Sequence, residues 1–260
     1  MKVSRKVLLA LIVVSIIAPA VSAQSLKGMS LNGATGLIGI PSGRIGWERT
    51  ADLGFDLGYH AILDEGENTH IPKASVSLFK VGEISFAYDS QGDSDESDMI
   101  IGGKVQLPTE RTAVAIGANF QMIQFAGQDE NYQQIYVAAT YPGEFFNMPA
   151  ETTFALGKTF GDNAPDENID FGMGFDLLLF PDVFEGYVHW INDFANFSYS
   201  VDPYAANAFN RGAFNTGIRI DLAANPNLSR YKFVIDAMVT DALDDERAFG
   251  LGLAFGAPVL

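Results

Sequence analysis

Residues 51–63 read ADLGFDLGYHAIL. Ala51, Leu53, Phe55, Leu57, Tyr59, Ala61 and Leu63 take every second place, and Asp52, Gly54, Asp56, Gly58 and His60 sit between them. Successive side chains of a strand point to opposite sides, so a period of two gives one apolar face and one small or polar face. A helix would scatter the same residues around its axis. The pattern recurs in NIDFGMGFDLLLF (168–180), AFNTGIRIDL (213–222), YKFVIDAMVT (231–240) and AFGLGLAFG (248–256). A soluble β-sandwich also alternates, but it turns Lys, Glu and Thr outward. Here the second face is Gly, Ala, Asn and isolated charges, which suits a narrow polar lumen.

Working outward from that stretch, such runs lie near 48–63, 72–81, 83–90, 98–107, 111–126, 131–142, 150–161, 168–180, 183–195, 213–223, 230–240 and 246–256. Most approach the roughly 9–11 residues of a membrane-crossing strand. The connections sort into two alternating sets. KVGE (80–83), LPTER (107–111), YPGEFFNMPAE (141–151), FPDVF (180–184) and AANPNLSR (223–230) form one set, mostly short. LDEGENTH (63–70), SQGDSDESD (90–98), GQDEN (127–131), GDNAPDEN (161–168), the long 192–212 segment and TDALDDE (240–246) form an acidic set. Alternate connections of an up-and-down barrel lie at opposite ends, so one rim is acidic. The sequence therefore predicts an all-β fold: a single closed antiparallel transmembrane β-barrel over 48–260, of about 12 strands, with 14 the alternative. Aromatics near the strand ends, such as Tyr141, Phe145, Phe180 and Tyr231 at one end and Tyr59, Tyr88 and Trp190 toward the other, fit interfacial girdles.

The N-terminus points to export. Lys2, Arg5 and Lys6 precede Val7–Ile17, a run apolar but for Ser15; Pro19 follows, then Val21-Ser22-Ala23. This is the layout of a secretory signal peptide over 1–23, too short to span a bilayer as a helix. Lys plus Arg is 16 against 32 Asp plus Glu, a net charge of −16. So acidic a chain repels nucleic acid, which needs clustered cations. There is no cysteine, which excludes disulfides, thiolate catalysis and Cys-based zinc sites. A chain that is 48% hydrophobic with 20 Phe carries too much apolar surface to be a disordered acidic tail.

Placed opposite the apolar residues, Asp52, Asp56, His60, Lys104, Asn119, Gln121, Asp170, Asp176, His189, Arg219, Asp221 and Asp236 are the expected lumen-lining set. They read either as a cross-lumen network of paired charges or as a narrow hydrophilic pathway. An acidic excess favours cations or neutral solutes over anions. No catalytic or metal site and no cofactor is predicted. There is no GxSxG elbow and no HExxH pair, and His189 reads as a polar wall residue. The DSDESD run (93–98) and GDNAPDEN are oxygen-rich, as calcium loops are, but DSDESD lacks the glycine and terminal glutamate of an EF-hand. The expected partners are outer-membrane lipid and the machinery that inserts such barrels.

The segment 24–47 falls outside the strand pattern. Within NGATGLIGIPSGRIGWERTADLGFDLGY (32–59), Gly36-Leu37-Ile38, then Pro41-Ser42-Gly43-Arg44, then a strand from near Ala51, resembles the opening of YjbH-type outer-membrane barrels. That resemblance covers about a tenth of the chain and implies an outer-membrane barrel linked to exopolysaccharide production. Read physically, the segment is apolar, Gly-rich and turn-forming, with Pro41-Ser42-Gly43 a turn. It is expected to be an extra strand or a lumen plug. Two functions follow: a narrow channel or envelope component, with polysaccharide passage as its extension, or a plugged structural or adhesive surface barrel with acidic external loops.

Overall fold

Alternation along each strand becomes inside and outside. The computed structural model describes residues 28–48, 51–63, 68–92, 96–125, 127–161, 169–196, 212–244 and 247–259. The signal-peptide reading, residues 24–27, and the core of most acidic loops, including 93–95 and 197–211, lie outside the described residues. Twelve strands follow in order: β1 Leu53–Leu63, β2 Asn68–Leu78, β3 Gly82–Gln91, β4 Ser97–Leu107, β5 Ala113–Phe125 and β6 Gln128–Phe145. Then come β7 Met148–Gly161, β8 Asp170–Leu178, β9 Val188–Ala195, β10 Ala213–Asp221, β11 Lys232–Thr240 and β12 Ala248–Pro258. Each pairs antiparallel with the next, and β12 returns to β1, with Leu57 opposite Phe255 and Tyr59 opposite Leu253. The sheet is therefore closed and has no edge, and the chain is a transmembrane β-barrel rather than a sandwich. A closed sheet satisfies every strand's backbone within the wall, which is what a bilayer interior demands.

The apolar face points outward all round. Phe55, Leu57, Ile84, Phe86, Val105, Ile116, Val137, Leu156, Leu251 and Leu253 are all exposed. So continuous an apolar belt is foreign to a soluble monomer, whose largest patch is a few hundred Å². The opposite face carries the charges, and these are buried: Asp56, Glu83, Lys104, Asp193, Arg219 and Asp236 among them.

Local departures from the predicted spans have local causes. β1 starts at Leu53 rather than 48 because Trp47 and Glu48 belong to the segment inside the barrel. β2 starts at Asn68, extending into the predicted acidic loop. YPGEFFNMPAE is no eleven-residue connection: β6 runs to Phe145 and β7 starts at Met148, leaving a two-residue turn. Phe146 (φ 51°) and Asn147 (φ 61°) take the left-handed backbone such a turn requires, as do Phe79 (φ 52°) and Lys80 (φ 62°) between β2 and β3. β9 starts at Val188 rather than 183, because Pro181–Phe184 winds into one helical turn. Proline, lacking an N–H and fixed in φ, suits the first helical position.

Residues 28–48 pair with no strand. They double back on themselves through two isolated bridges, Met29 with Thr35 and Gly36 with Pro41. Leu31 N–H donates to the Ile38 carbonyl at 2.8 Å, and Ser42 N–H to the Thr35 carbonyl at 3.0 Å. Side chains or backbone of this segment touch β1, β2, β3, β4, β6, β7, β9 and β10 by hydrogen bonds. Only a segment inside the barrel can reach strands all round its wall.

Candidate functional site: the filled lumen

The lumen is built from wall charges that bind the backbone of the N-terminal segment. At the short-turn end, Trp47 donates its indole N–H to both oxygens of Asp56, at 3.0 and 3.2 Å. Lys232 pairs with the same carboxylate at 3.0 Å and lies 4.7 Å from the Trp47 ring centre. The indole fits only because the wall beside it is glycine: a Cβ at Gly54 would stand 2.2 Å from the ring. Beside it, Arg44 pairs with Glu151 on β7 and with Glu48 at 2.8 Å. Burial opposes the charge on Arg44, but Glu151 and Glu48 together hold its guanidinium above its ordinary pKa.

Elsewhere along the wall the anchors are more numerous. Glu83 on β3 accepts from the amide and hydroxyl of Thr35 and from the amide of Gly46. Lys104 on β4 lies 3.3 Å from Glu83 and donates to the carbonyls of Thr35 and Ser42. Asp193 on β9 accepts the amides of Ile38 and Gly39 at 2.8 and 2.7 Å. Arg219 is held in a two-pronged pair by Asp236, at 2.9 and 3.0 Å, and donates to the Gly36 carbonyl at 3.1 Å. His60 stands 3.5 Å from the same Asp236. Lys73 on β2 donates to the Ser30 carbonyl at 2.7 Å.

Apolar contacts complete the seat. Leu37 and Ile40 pack with Tyr136, Ala138, Ala155 and Ala195; Ile38 packs with Ile191 and Met238; Met29 packs with Val234 and Ala254. Each large apolar side chain so buried contributes about 1.5–3 kcal/mol, so the segment is seated by packing as well as by charge.

Toward the acidic loops the wall's polar side chains bond one another. Asn119 donates to Gln134 at 3.1 Å, Gln134 to Asp170 at 2.9 Å, and Gln121 to Asp98. On the other side, His189 shares a hydrogen bond with Asp176, and the Asp221 carboxylate caps the turn that follows β10 through the Ala223 amide.

Of the residues expected in the lumen, Asp56, His60, Lys104, Asn119, Gln121, Asp170, Asp176, His189, Arg219, Asp221 and Asp236 lie on its wall. Asp52 does not. Its side chain is 68% exposed and lies 3.3 Å from Lys80 at the short-turn rim. It precedes the first paired residue of β1, where the chain has just left the lumen, so strand phase does not yet govern it. Glu83, Glu151, Asp193, Lys73 and Lys232 were not in the expected set, although each lies in phase with the polar face of its strand. Glu83 and Asp193 sit in stretches that read as connections, which hid them.

No protein-family model and no curated protein matches the chain. Solved structures do. The chain is similar to the KdgM porin (5% identity, 79% of this chain and 99% of that one, TM-score 0.51). It is also similar to the outer membrane protein Omp33 of Acinetobacter baumannii (14%, 80% and 99%, TM-score 0.50) and to the NanC porin (9%, 79% and 100%, TM-score 0.50). At these identities the likeness is one of fold: a closed barrel of the kind found in outer-membrane porins.

Proposed function

We propose that this chain is an outer-membrane channel whose conduit is held shut at rest by its own N-terminal segment. The observation that carries the reading is the position of residues 28–48 inside a hydrophilic lumen, held by wall charges yet forming no part of the sheet. Such a segment can move without breaking a strand pair. The outward apolar belt and the likeness to porin folds support placement in the outer membrane, with lipid against the belt. With the segment displaced, the wall presents Asp56, Glu83, Asp89, Asp98, Glu151, Asp170, Asp176, Asp193, Asp221 and Asp236 against Lys73, Lys104, Arg219 and Lys232. An acidic wall passes cations or neutral solutes in preference to anions. The polysaccharide link implied by the YjbH-type resemblance is then compatible with a neutral glycan and not with a polyanion, which would need rows of arginine.

The second reading is a permanently sealed barrel that acts through its external loops. The three apolar clusters around Met29, Leu37 and Ile38 favour it. Planar-bilayer recording separates the two. The channel reading expects a silent baseline broken by discrete cation-selective openings of the full-length protein, made frequent by weakening the seat with Gly43→Ala. Silence in both proteins establishes the sealed barrel instead. A steady large conductance of the unaltered protein sinks the idea that the segment closes the lumen.

A further inference from the structure

Two wall carboxylates make no hydrogen bond or ion pair to the segment or to a wall cation among the described residues. Asp89 on β3 and Asp98 on β4 stand directly opposite each other in the strand register, next to the loop that joins these strands. Side chains so placed have Cβ atoms about 4.5–5.5 Å apart, and like charges there repel. Both residues are more than nine-tenths buried. The Oδ1 atom of each is buried and has no hydrogen-bond partner among the described residues. Gln121 on β5 donates its amide to Oδ2 of Asp98. The basic group facing them is Lys73 on β2, and its Nζ is committed to the Ser30 carbonyl at 2.7 Å.

Buried carboxylate oxygens are costly to leave bare, and an orphaned pair points to a missing ion, water or proton. An ion held between the two carboxylates would offset both their burial and their mutual repulsion. The Gln121 amide is a donor, and its hydrogen bond to Oδ2 suits a carboxylate at Asp98. The donors are all hard oxygens, which suit Ca²⁺-class ions and not zinc or copper. We propose that Asp89 and Asp98, assisted by Gln121, form a divalent-cation site of calcium type at the loop-side mouth of the lumen. No group of three or more His, Cys, Asp or Glu able to hold a metal occurs among the described residues, so water completes the shell. The affinity then falls in the weak range of extracellular calcium modules, about 10⁻⁴–10⁻³ M. A bound ion would clamp β3 to β4 and remove their mutual repulsion. This site stands on its own geometry and does not depend on whether the barrel conducts.

The test is Ca²⁺ titration of the folded full-length protein in detergent after chelation, read by calorimetry and by the thermal unfolding temperature. Three variants are compared: Asp89→Asn, Asp98→Asn and, as a loop control, Glu96→Gln. Folding of each is verified by heat-modifiable gel migration. The site predicts that Ca²⁺ raises the unfolding temperature of the unaltered protein and of the control, while each Asp→Asn change weakens binding by about tenfold or more, since ligand charge sets affinity. Equal affinity in all four proteins would mean adventitious loop binding and overturn the proposal. So would a Ca²⁺-indifferent parent protein, the result expected if the two carboxyls share a proton.

Discussion

Glu83 holds Thr35 with both of its oxygens: Oε1 accepts the Thr35 amide at 2.8 Å and Oε2 accepts its hydroxyl at 2.6 Å. The same Oε2 accepts the Gly46 amide at 3.0 Å. One wall carboxylate thus grips both ends of the 35–46 loop, 48 and 37 residues upstream of itself. Lys104 backs it at 3.3 Å and holds the carbonyls of Thr35 and Ser42. Acceptors and donors of the loop are met by a buried acid and a buried base side by side, which is how an irregular backbone is tolerated at membrane depth.

Removing one member of that pair strands the other. Glu83→Ala leaves the Lys104 ammonium buried without its counter-ion, a change that costs about 3–5 kcal/mol in comparable sites. Urea unfolding in lipid vesicles is expected to show a loss of that order. The double variant Glu83→Ala/Lys104→Met should be less destabilised than Glu83→Ala alone, because the orphan charge is gone. A double variant as unstable as the single one would mean that the loop contacts of Glu83, and not the charge pair, dominate its contribution.

Gly43 tests whether the seat has slack. A Cβ there would stand 2.1 Å from the Ala113 carbonyl oxygen and 2.9 Å from that of Ala138, both wall backbone. Backbone of a closed sheet cannot retreat, so the segment must. Gly43→Ala is expected to keep the barrel folded and heat-modifiable while exposing residues 28–48 to added protease. Full protection of that segment in the variant would show that the loop can shift within the lumen and stay seated.

The aromatic seat should behave differently from the charged one. The Tyr136 ring lies across Gly117, where a Cβ would come within 2.3 Å of it, and packs with Leu37 and Ile40. Tyr136→Ala opens a cavity under both side chains, and large-to-small changes of this size cost about 3–5 kcal/mol. Gly117→Ala displaces the same ring from the other side and should loosen the segment in the same assay. Opposite responses of the two variants would mean that the ring does not hold Leu37 and Ile40 in place.

The barrel was legible because two solvents act on one strand: an apolar exterior and a polar interior impose a period of two with few exceptions. Phe171, Met173 and Phe175 against Asp170, Gly172, Gly174 and Asp176 leave no helical reading. The ends of strands were less legible. Phe146-Asn147 turns in two residues although phenylalanine resists positive φ, so YPGEFFNMPAE read as a loop. The N-terminal segment allowed two readings, because Gly-rich apolar sequence suits both a strand and a packed turn. What decides between them is the distant wall: Glu83, Asp193 and Arg219 offer partners for its backbone, and no local pattern around residue 36 encodes that. Asp52 failed for the complementary reason: it has the right phase but lies one residue before the paired span of β1, at the rim.

The outward belt yields the most direct test of orientation. Leu253 is exposed near the centre of β12, between Tyr59 on β1 and Ile235 on β11, while Phe249 is exposed near that strand's loop-side end. If the belt faces lipid, the cost of a charge depends on depth: about 2–4 kcal/mol for arginine at the midplane, falling to about 0–1 kcal/mol near an interface. Leu253→Arg should therefore reduce folding into vesicles by that larger amount, and Phe249→Arg by clearly less. On a water-facing belt both substitutions would be nearly neutral or would improve solubility, since neither side chain has a lumen contact to lose. The ranking of the two variants, read from reversible unfolding in vesicles of fixed thickness, thus reports which medium the alternating Phe and Leu residues meet.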